Sequence, residues 1–319
     1  MNLTAPAKST VHSKPNALLS EYTTFRLGGA CRELIACAYP QELESTILDL
    51  NKRNENFILI GGGSNLVVAD QGIKATVIRY LSCQPIIIKE ENDLIISGST
   101  LLDHAVLFAL ENSLEGLNYA SGIPGTVGGA IVGNAGAFGK QVGDYLKSVC
   151  ILTKQGVKKE IPASDLGFRY RHSNLKETGD IVLWGRFGLS WAARDPLLTE
   201  RQDILKLRSE KHPNLQTHPC AGSFFRNIEP TSRAERRQAT GWFLEQAGGK
   251  SLSVGGAKIF DRHANIIVKS NGCTSQDVHD LHLLMAKAVK EKFSLDLERE
   301  VRFVGNFRGM PAETQGFIW

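Results

Sequence analysis

What this 319-residue chain lacks narrows it first. Its six cysteines (Cys31, Cys37, Cys83, Cys150, Cys220, Cys273) include no C-x-x-C pair. That spacing argues against zinc and iron–sulfur sites and offers no disulfide framework, so free thiols, a reducing compartment and no bound metal are expected. No apolar run reaches the length of about 18 residues that a membrane-spanning helix needs. The first residues lack a basic segment followed by an apolar one, so no secretory signal is expected. The net charge is only +4, too mild to point to nucleic acid. A soluble cytoplasmic protein is expected, a monomer without nucleic-acid or membrane partners.

Two nucleotide-binding signatures are missing as well. A dinucleotide fingerprint starting at Gly61 would need glycine where Leu66 stands, and a phosphate loop ending at Gly249-Lys250-Ser251 would need it at Leu244. What is there is a set of 31 glycines, many gathered in two places. The strand-like Phe57–Ile60 leads straight into Gly61-Gly62-Gly63-Ser64-Asn65-Leu66. About sixty residues later comes Gly122-Ile123-Pro124-Gly125-Thr126-Val127-Gly128-Gly129-Ala130, closed by Asn134-Ala135-Gly136-Ala137-Phe138-Gly139. Glycine bares backbone N–H groups and reaches φ > 0 without strain, so such runs suit a diphosphate or the polar edge of a ring. The interspersed Ile123, Val127, Ile131, Val132 and Phe138 mark a buried loop, not a linker. Either run alone also fits a tightly packed turn. Two on one chain suggest a single elongated cofactor held at two places.

Residues 1 to about 20 are polar and read as a disordered lead-in. Pro40 opens a helix expected over Gln41–Lys52, with strands at Phe57–Ile60 and Ala75–Arg79. Strands follow at Ile86–Ile88 and Leu94–Gly98, then an amphipathic helix, Leu101–Asn112, and strands at Ser148–Thr153 and Ile181–Leu189. Asp195-Pro196 breaks the chain before a polar connector helix, Leu198–Lys211. Beyond it, Ser232 is expected to cap a helix through Trp242–Gln246, and Ser275 one over Gln276–Phe293. Strands are expected at Ala257–Phe260, Asn265–Val268 and Glu300–Val304. His279 and His282 share a helical face without a third ligand nearby and read as a surface pair. The basic thickening between Lys206 and Arg237 fits a solvated face or the wall of a site for an anionic ligand, and charge alone favours the solvated face.

Three segments are unusually polar for strand-like surroundings: Phe168–Ser173, Ala221–Asn227 and Leu297–Gly305. Taken singly, Arg171 reads as a salt-bridge partner, Ser223 as a turn residue, and Glu298, Glu300 and Arg302 as one wet face of an edge strand. Taken with the glycine loops and Thr24-Phe25-Arg26-Leu27-Gly28-Gly29, they make seven segments in order between about Tyr22 and Gly305. On these the chain resembles the UDP-N-acetylenolpyruvoylglucosamine reductases (UDP-N-acetylmuramate dehydrogenases), flavoenzymes of bacterial peptidoglycan precursor synthesis.

The resemblance implies an α+β fold. An FAD-binding domain of the vanillyl-alcohol-oxidase type would span 21–200, in lobes of about 21–80 and 81–200. A C-terminal α+β substrate domain would span 201–305, and 306–319 would be a tail. FAD would be held by Gly61, Gly62, Gly63, Ser64, Asn65 and Leu66, and by Gly122, Ile123, Pro124, Gly125, Thr126, Gly128, Gly129 and Asn134. NADPH is the implied co-substrate and an enolpyruvyl sugar nucleotide the implied substrate. Arg171, Ser223 and Glu300 are the implied catalytic residues. Arg171 would stabilise charge on the substrate carboxylate, Glu300 would assist as an acid, and Ser223 would deliver a proton to the adjacent carbon. Tyr170, Lys211 and Asn227 match substrate-holding positions. Ile228, Phe260 and Lys269 depart from residues common in the family, and no insertion follows Arg171, as in its shorter second type. A same-fold flavin oxidase, or a non-catalytic flavin-binding relative, would share the glycine loops but has no need of Ser223 and Glu300 as a proton-delivering pair.

Overall fold

The computed structural model describes residue 3 and residues 11–153, 155–230 and 236–310. The first lobe holds β1 (His12–Pro15), β2 (Cys31–Cys37), β3 (Phe57–Ile60), β4 (Leu66–Val68) and β5 (Ile73–Tyr80). Four of these form a sheet in the order β1-β2-β5-β3. β2 and β3 run parallel to β5, and the unbroken apolar run of β3 suits a strand covered on both faces. α1 (Pro40–Lys52) makes the crossover from β2. Pro40 takes its first position, where no N–H is needed, and Glu42 Oε2 accepts the N–H groups of Ala38 and Tyr39 at 2.7 and 3.0 Å. Order starts earlier than the polar lead-in suggests. β1 pairs antiparallel with β2, exposed at all four positions, and buried Ala17 and Leu19 anchor it. An edge strand needs only backbone hydrogen bonds and a short apolar anchor, which composition does not reveal. The other lead-in residues, 1, 2 and 4–10, and the tail from 311 to 319 lie outside the described residues.

The second lobe is a five-stranded antiparallel sheet of β6 (Ile87–Glu90), β7 (Asp93–Ser97), Leu146–Leu152, Lys158–Pro162 and Ile181–Gly188. α2 (Leu102–Glu111) and α3 (Val127–Val132) share a core with it that includes Leu94, Ile96, Val106, Ile131 and Phe187. A second core joins the lobes: Leu43, Ile47, Leu59 and Tyr80 pack with Cys150, Leu152, Ile181 and Leu183. Tyr80 OH, fully buried there, donates to Leu183 O at 2.8 Å. α4 (Leu175–Thr178) and α5 (Arg194–Lys211) follow. Pro196 does not break the chain as expected. It sits in the first turn of α5, where a backbone N–H has no helical partner to lose. Leu197 joins the second-lobe core, so α5 packs on that lobe.

In the third unit, α6 (Thr240–Gln246) and α7 (Ser275–Phe293) pack with a three-stranded sheet of Ser253–Val254, Ala257–Phe260 and His263–Lys269. Ser232 lies outside the described residues, and α6 begins only at Thr240. Thr274, not Ser275, caps α7: its Oγ1 accepts the Asp277 N–H at 3.0 Å, and Asp277 Oδ2 accepts the Thr274 N–H at 3.0 Å. Ser275 Oγ instead donates to Val68 O at 2.6 Å and ties α7 to β4.

His279 and His282 are not a surface pair. They are 1% and 7% exposed, with ring contacts to Phe224, Phe225, Phe303 and Phe307. The returning C-terminal segment covers a second side of α7, which the periodicity of the helix alone does not disclose. That segment carries the strand Arg302–Val304, shorter than expected, which pairs in parallel with β4 through Arg302↔Leu66, Phe303↔Val67 and Val304↔Val68. The last strand thus joins the third unit to the first, beside the Gly61 loop.

Candidate active site

β3 ends at Ile60 and the chain turns through Gly61-Gly62-Gly63. Facing it is the loop from Gly122 to Thr126, where Gly125 takes φ +123°, a backbone that glycine adopts readily and other residues do not. The loops touch through the side chains they lack. A Cβ on Gly61 would stand 2.5 Å from Thr126 Oγ1, and one on Gly62 would stand 3.3 Å from Gly125 Cα. Ser64 Oγ donates to Pro124 O at 3.2 Å across the same seam. Glycine backbone, extended by Gly129, Gly133 and Gly136, therefore floors a cleft of about 1470 Å³, solvent at its mouth included.

Asp103 steadies the second loop. Its Oδ1 accepts the Gly122 N–H at 2.8 Å, while Arg201 of α5 donates to both carboxylate oxygens at 2.7 Å. Burial alone would raise the Asp103 carboxyl; the hydrogen bonds from Arg201 and Gly122 outweigh it and hold the group below its ordinary value.

The charged lining is cationic, with Arg171, Lys176, Arg226, Arg299 and Arg302, and Glu300 is its one carboxylate among the described residues; Ser223 adds a hydroxyl. Arg171 stands third in a tight turn, Arg169–His172, closed by reciprocal backbone hydrogen bonds of 3.1 Å, and takes φ +54°. Left-handed backbone costs a non-glycine residue on the order of 1–2 kcal/mol, so the surroundings must hold it. Arg171 Nη1 donates to Gly136 O at 2.9 Å, and Nε lies 3.0 Å from Glu300 Oε1. The second contact is an ion pair without the alignment of a hydrogen bond. Lys176 Nζ donates to Arg171 O at 2.6 Å. Burial first, then the charge of Arg226, pulls the Lys176 ammonium down to about 8, against an opposing pull from Glu300.

Ser223 and Glu300 arrive on neighbouring extended segments. Ser223 bridges Ile266, Phe225 bridges Arg299, and the Glu300 N–H donates to Phe224 O at 2.8 Å. Asn65 Nδ2 donates to Glu300 O at 3.1 Å and the Arg302 N–H donates to Asn65 O at 3.0 Å. The first glycine loop and the Glu300 segment therefore hold each other in place.

Arg171, Ser223 and Glu300 thus come from three distant segments to one cleft. Ten of the fourteen expected cofactor positions line it too: Gly61 to Asn65, Ile123 to Thr126, and Gly129. The other four do not. Leu66 is buried in β4, Gly122 faces Leu205 of α5, and the Gly128 N–H donates to Gly98 O. Asn134 Nδ2 donates to Gln141 Oε1 and Arg169 O, and its Oδ1 accepts the Gly143 N–H. Tyr170 and Asn227 meet each other: Tyr170 OH accepts the Asn227 N–H at 3.3 Å, with the Arg237 guanidinium 3.7 Å over the ring. Lys211 is exposed at the end of α5, outside the lining. Among the departures from the family pattern, Phe260 packs with Cys220 and Ile266, and Lys269 Nζ donates to Arg26 O at 2.7 Å.

Two family descriptions match the chain: an FAD binding domain over residues 32–160, and the C-terminal domain of UDP-N-acetylenolpyruvoylglucosamine reductase over 212–304. UDP-N-acetylenolpyruvoylglucosamine reductase 1 of Bacillus cereus is 35% identical over 91% of this chain and 94% of its own. The chain belongs to the UDP-N-acetylenolpyruvoylglucosamine reductase family. The reductase of Clostridium novyi is 30% identical over 92% of each chain. The crystal structure of the reductase from Thermus caldophilus matches with a TM-score of 0.74 at 29% identity, covering 92% of this chain and 98% of that one. The resemblance drawn from seven segments and the α+β class with an FAD-binding domain are borne out.

Motif reading passes over four cations of this reductase-family cleft: Lys176, Arg226, Arg299 and Arg302. The basic thickening read as a solvated face divides. Lys206 and Lys211 are exposed, whereas Arg226 lines the cleft and Arg208 is half-buried, its Nε 3.4 Å from where a Gly122 Cβ would stand. Arg233 lies outside the described residues. The available signal was proximity: Lys176 follows Arg171 closely, and Arg302 is two residues from Glu300.

Proposed function

We propose that this chain is an FAD-dependent oxidoreductase that reduces UDP-N-acetylenolpyruvoylglucosamine to UDP-N-acetylmuramate with NADPH, in peptidoglycan precursor synthesis. The observation that carries the reading is the convergence of Arg171, Ser223 and Glu300 on a glycine-floored cleft in a chain of this family. The residues present fit FAD. Both loops leave out the side chains that would collide at their seam, and their bare backbone N–H groups suit a diphosphate. Gly61 to Asn65, Ile123 to Thr126 and Gly129 would hold it. When bound, FAD supplies hydride chemistry, accepting from NADPH and donating to the methylene carbon of the enol ether.

The chain's own residues do the remainder. Arg171 binds the substrate carboxylate through paired N–H groups and keeps it as negative charge grows there, a contribution on the order of a few kcal/mol per preset donor. Glu300 aligns the guanidinium from its Nε side and shares a proton with the forming enol. Ser223 Oγ gives its proton to the carbon beside the carboxylate. A serine is a weak acid, so this transfer becomes favourable only as that carbon gains carbanion character. Tyr170, Asn227 and Lys211 hold the sugar-nucleotide part. A soluble cytoplasmic monomer completes the reading. It is supported by six free cysteines and by the lack, among the described residues, of a helix long and apolar enough to cross a membrane.

Anaerobic rapid mixing tests this. The protein should purify yellow, lose its colour with NADPH and regain it with the enolpyruvyl sugar nucleotide. Acid precipitation should release the flavin, because no Cys or His among the described residues lines the cleft. Bleaching by an alcohol or hydroxy acid, with colour restored only by oxygen, would replace this reading with that of a flavin oxidase.

A further inference from the structure

We propose that Lys176 is a positioning residue for Arg171, holding the carbonyl of the left-handed turn and so the aim of the guanidinium into the cleft. The inference rests on the function proposed above and deepens it. Two cationic donors converge on one backbone oxygen: Lys176 Nζ at 2.6 Å and Arg226 Nη2 at 3.3 Å both donate to Arg171 O. The residue so gripped takes φ +54° without being glycine. Its side chain is tied at the far end to Gly136 O and Glu300, so the arginine is fixed at both ends.

The base from which Lys176 reaches is itself anchored. Leu175 is buried, and the Lys176 N–H donates to Ser173 O at 3.1 Å. Fully buried Ser173 donates through Oγ to Val132 O of α3 at 2.7 Å. A continuous path therefore runs from the helix beside the glycine floor, through Ser173 and Lys176, to the carbonyl of Arg171. Arg226 is the weaker partner, because its other anchor, Glu298, is 68% exposed.

The charged groups around Lys176 are Arg171 on its own segment, Arg226 on the Ser223 segment, and Glu300 and Arg302 on the returning C-terminal segment; His172, beside Arg171, is a titratable neighbour that burial keeps neutral near pH 8. Burial acts first, and the cations, which outnumber the one carboxylate, add to it, so the ammonium is pulled down to about 8. The neutral amine still donates to Arg171 O, without the assistance of charge.

Half-reactions of the holoenzyme separate this role from others. In Lys176→Met, reduction by NADPH should stay within about twofold of wild type, while reoxidation by the enolpyruvyl sugar nucleotide slows at least about tenfold. Lys176→Arg should restore most of that rate at pH 7 and hold it above pH 8, where the wild-type rate falls severalfold. Adding Lys176→Met to Arg171→Ala should cost nothing further, because the lysine acts through the arginine.

The proposal is overturned if the Met variant reoxidises at the wild-type rate, or if it slows both half-reactions equally. It is overturned equally by a full tenfold loss on the Arg171→Ala background, which would make Lys176 a direct substrate ligand. Should Lys176→Met fail to fold or retain flavin, the pH profile of Lys176→Arg decides alone, and an unshifted alkaline limb rejects the idea. A wild-type enzyme that the enolpyruvyl substrate cannot reoxidise refutes the function itself, whereas normal wild-type turnover with an unaffected Met variant refutes only the lysine.

Discussion

The floor of the cleft and its charged lining are made in opposite ways. Each half of the floor is one short stretch of backbone, Gly61 to Asn65 and Ile123 to Thr126 with Gly129, and what matters is the absence of side chains at the glycines. The charged lining is made of side chains alone, delivered by α4, by the turn at Arg171, and by the segments around Ser223 and Glu300. One part therefore breaks when an atom is added, and the other when an atom is removed. Adding a Cβ to the floor should act on folding and cofactor together. Trimming the charged lining should leave the fold intact and change only the reaction.

The largest effect is expected at Gly125. Its φ of +123° strains any other residue, and a Cβ there would stand 3.0 Å from Ser64 Oγ. Gly125→Val should purify without flavin and melt below wild type. Gly129 sharpens the contrast, because the nearest atom to its added Cβ, Thr126 Oγ1, is an ordinary 3.6 Å away. Gly129→Ala should therefore melt like the wild-type apoprotein yet take up less flavin, measured as absorbance per mole of protein after reconstitution. Full occupancy in Gly129→Ala would show that this part of the floor does not meet the cofactor.

Legibility in the sequence divides along the same line. The glycine loops could be read because their meaning is local: consecutive residue types report both the backbone and the absence of side chains. α1 and β3 could be read for a similar reason, since a proline at the first turn and an unbroken apolar run are local signals. Arg171, Ser223 and Glu300 carried no decisive local signal, and only family resemblance singled them out. Lys176 and Arg226 were missed because their role is one shared carbonyl, 5 and 55 positions away in the chain. The burial of His279 and His282 was missed for a related reason: what covers them returns from beyond the end of α7. β1 escaped notice because an edge strand with four exposed residues has no apolar pattern to read.

Trimming the charged lining at Ser223 gives the next largest effect. Reduction by NADPH needs no proton from a serine, whereas protonation of the substrate carbon does. Ser223→Ala should leave the first half-reaction near normal and slow reoxidation by about a hundredfold, the usual scale for losing a positioned general acid. Equal slowing of both halves would make Ser223 a structural residue and dissolve the distinction between the two parts of the cleft.

A smaller effect is expected where the two parts are braced from outside. Asp103 carries the Gly122 N–H on one oxygen and Arg201 on both, so Arg201→Gln should loosen the second loop without touching the cleft. Loss of one such charged contact, about 1.4 kcal/mol, weakens flavin binding roughly tenfold. Titration of apoprotein with FAD measures it. Unchanged affinity would mean that the loop holds its shape by glycine conformation alone.

The smallest effect on catalysis is expected behind the charged lining, where His282 packs with Phe224, Phe225 and Phe303 and its Nδ1–H donates to His279 O. Burial pushes this imidazole from an ordinary 6.5 down to about 4. Between those values the unfolded chain takes up a proton that the folded protein refuses, so stability is fully present above pH 6.5 and falls as the pH drops toward 4. The shift corresponds to roughly 3 kcal/mol at most. His212, also lowered to about 4 by burial, adds loss in the same window. His282→Leu should therefore keep near-normal activity at pH 7 while losing less stability than wild type between pH 7 and 4.5, followed by urea melts of the holoenzyme. Identical slopes in the two proteins would mean that His282 is not held neutral, and that the aromatic support behind Ser223 and Glu300 is indifferent to protons.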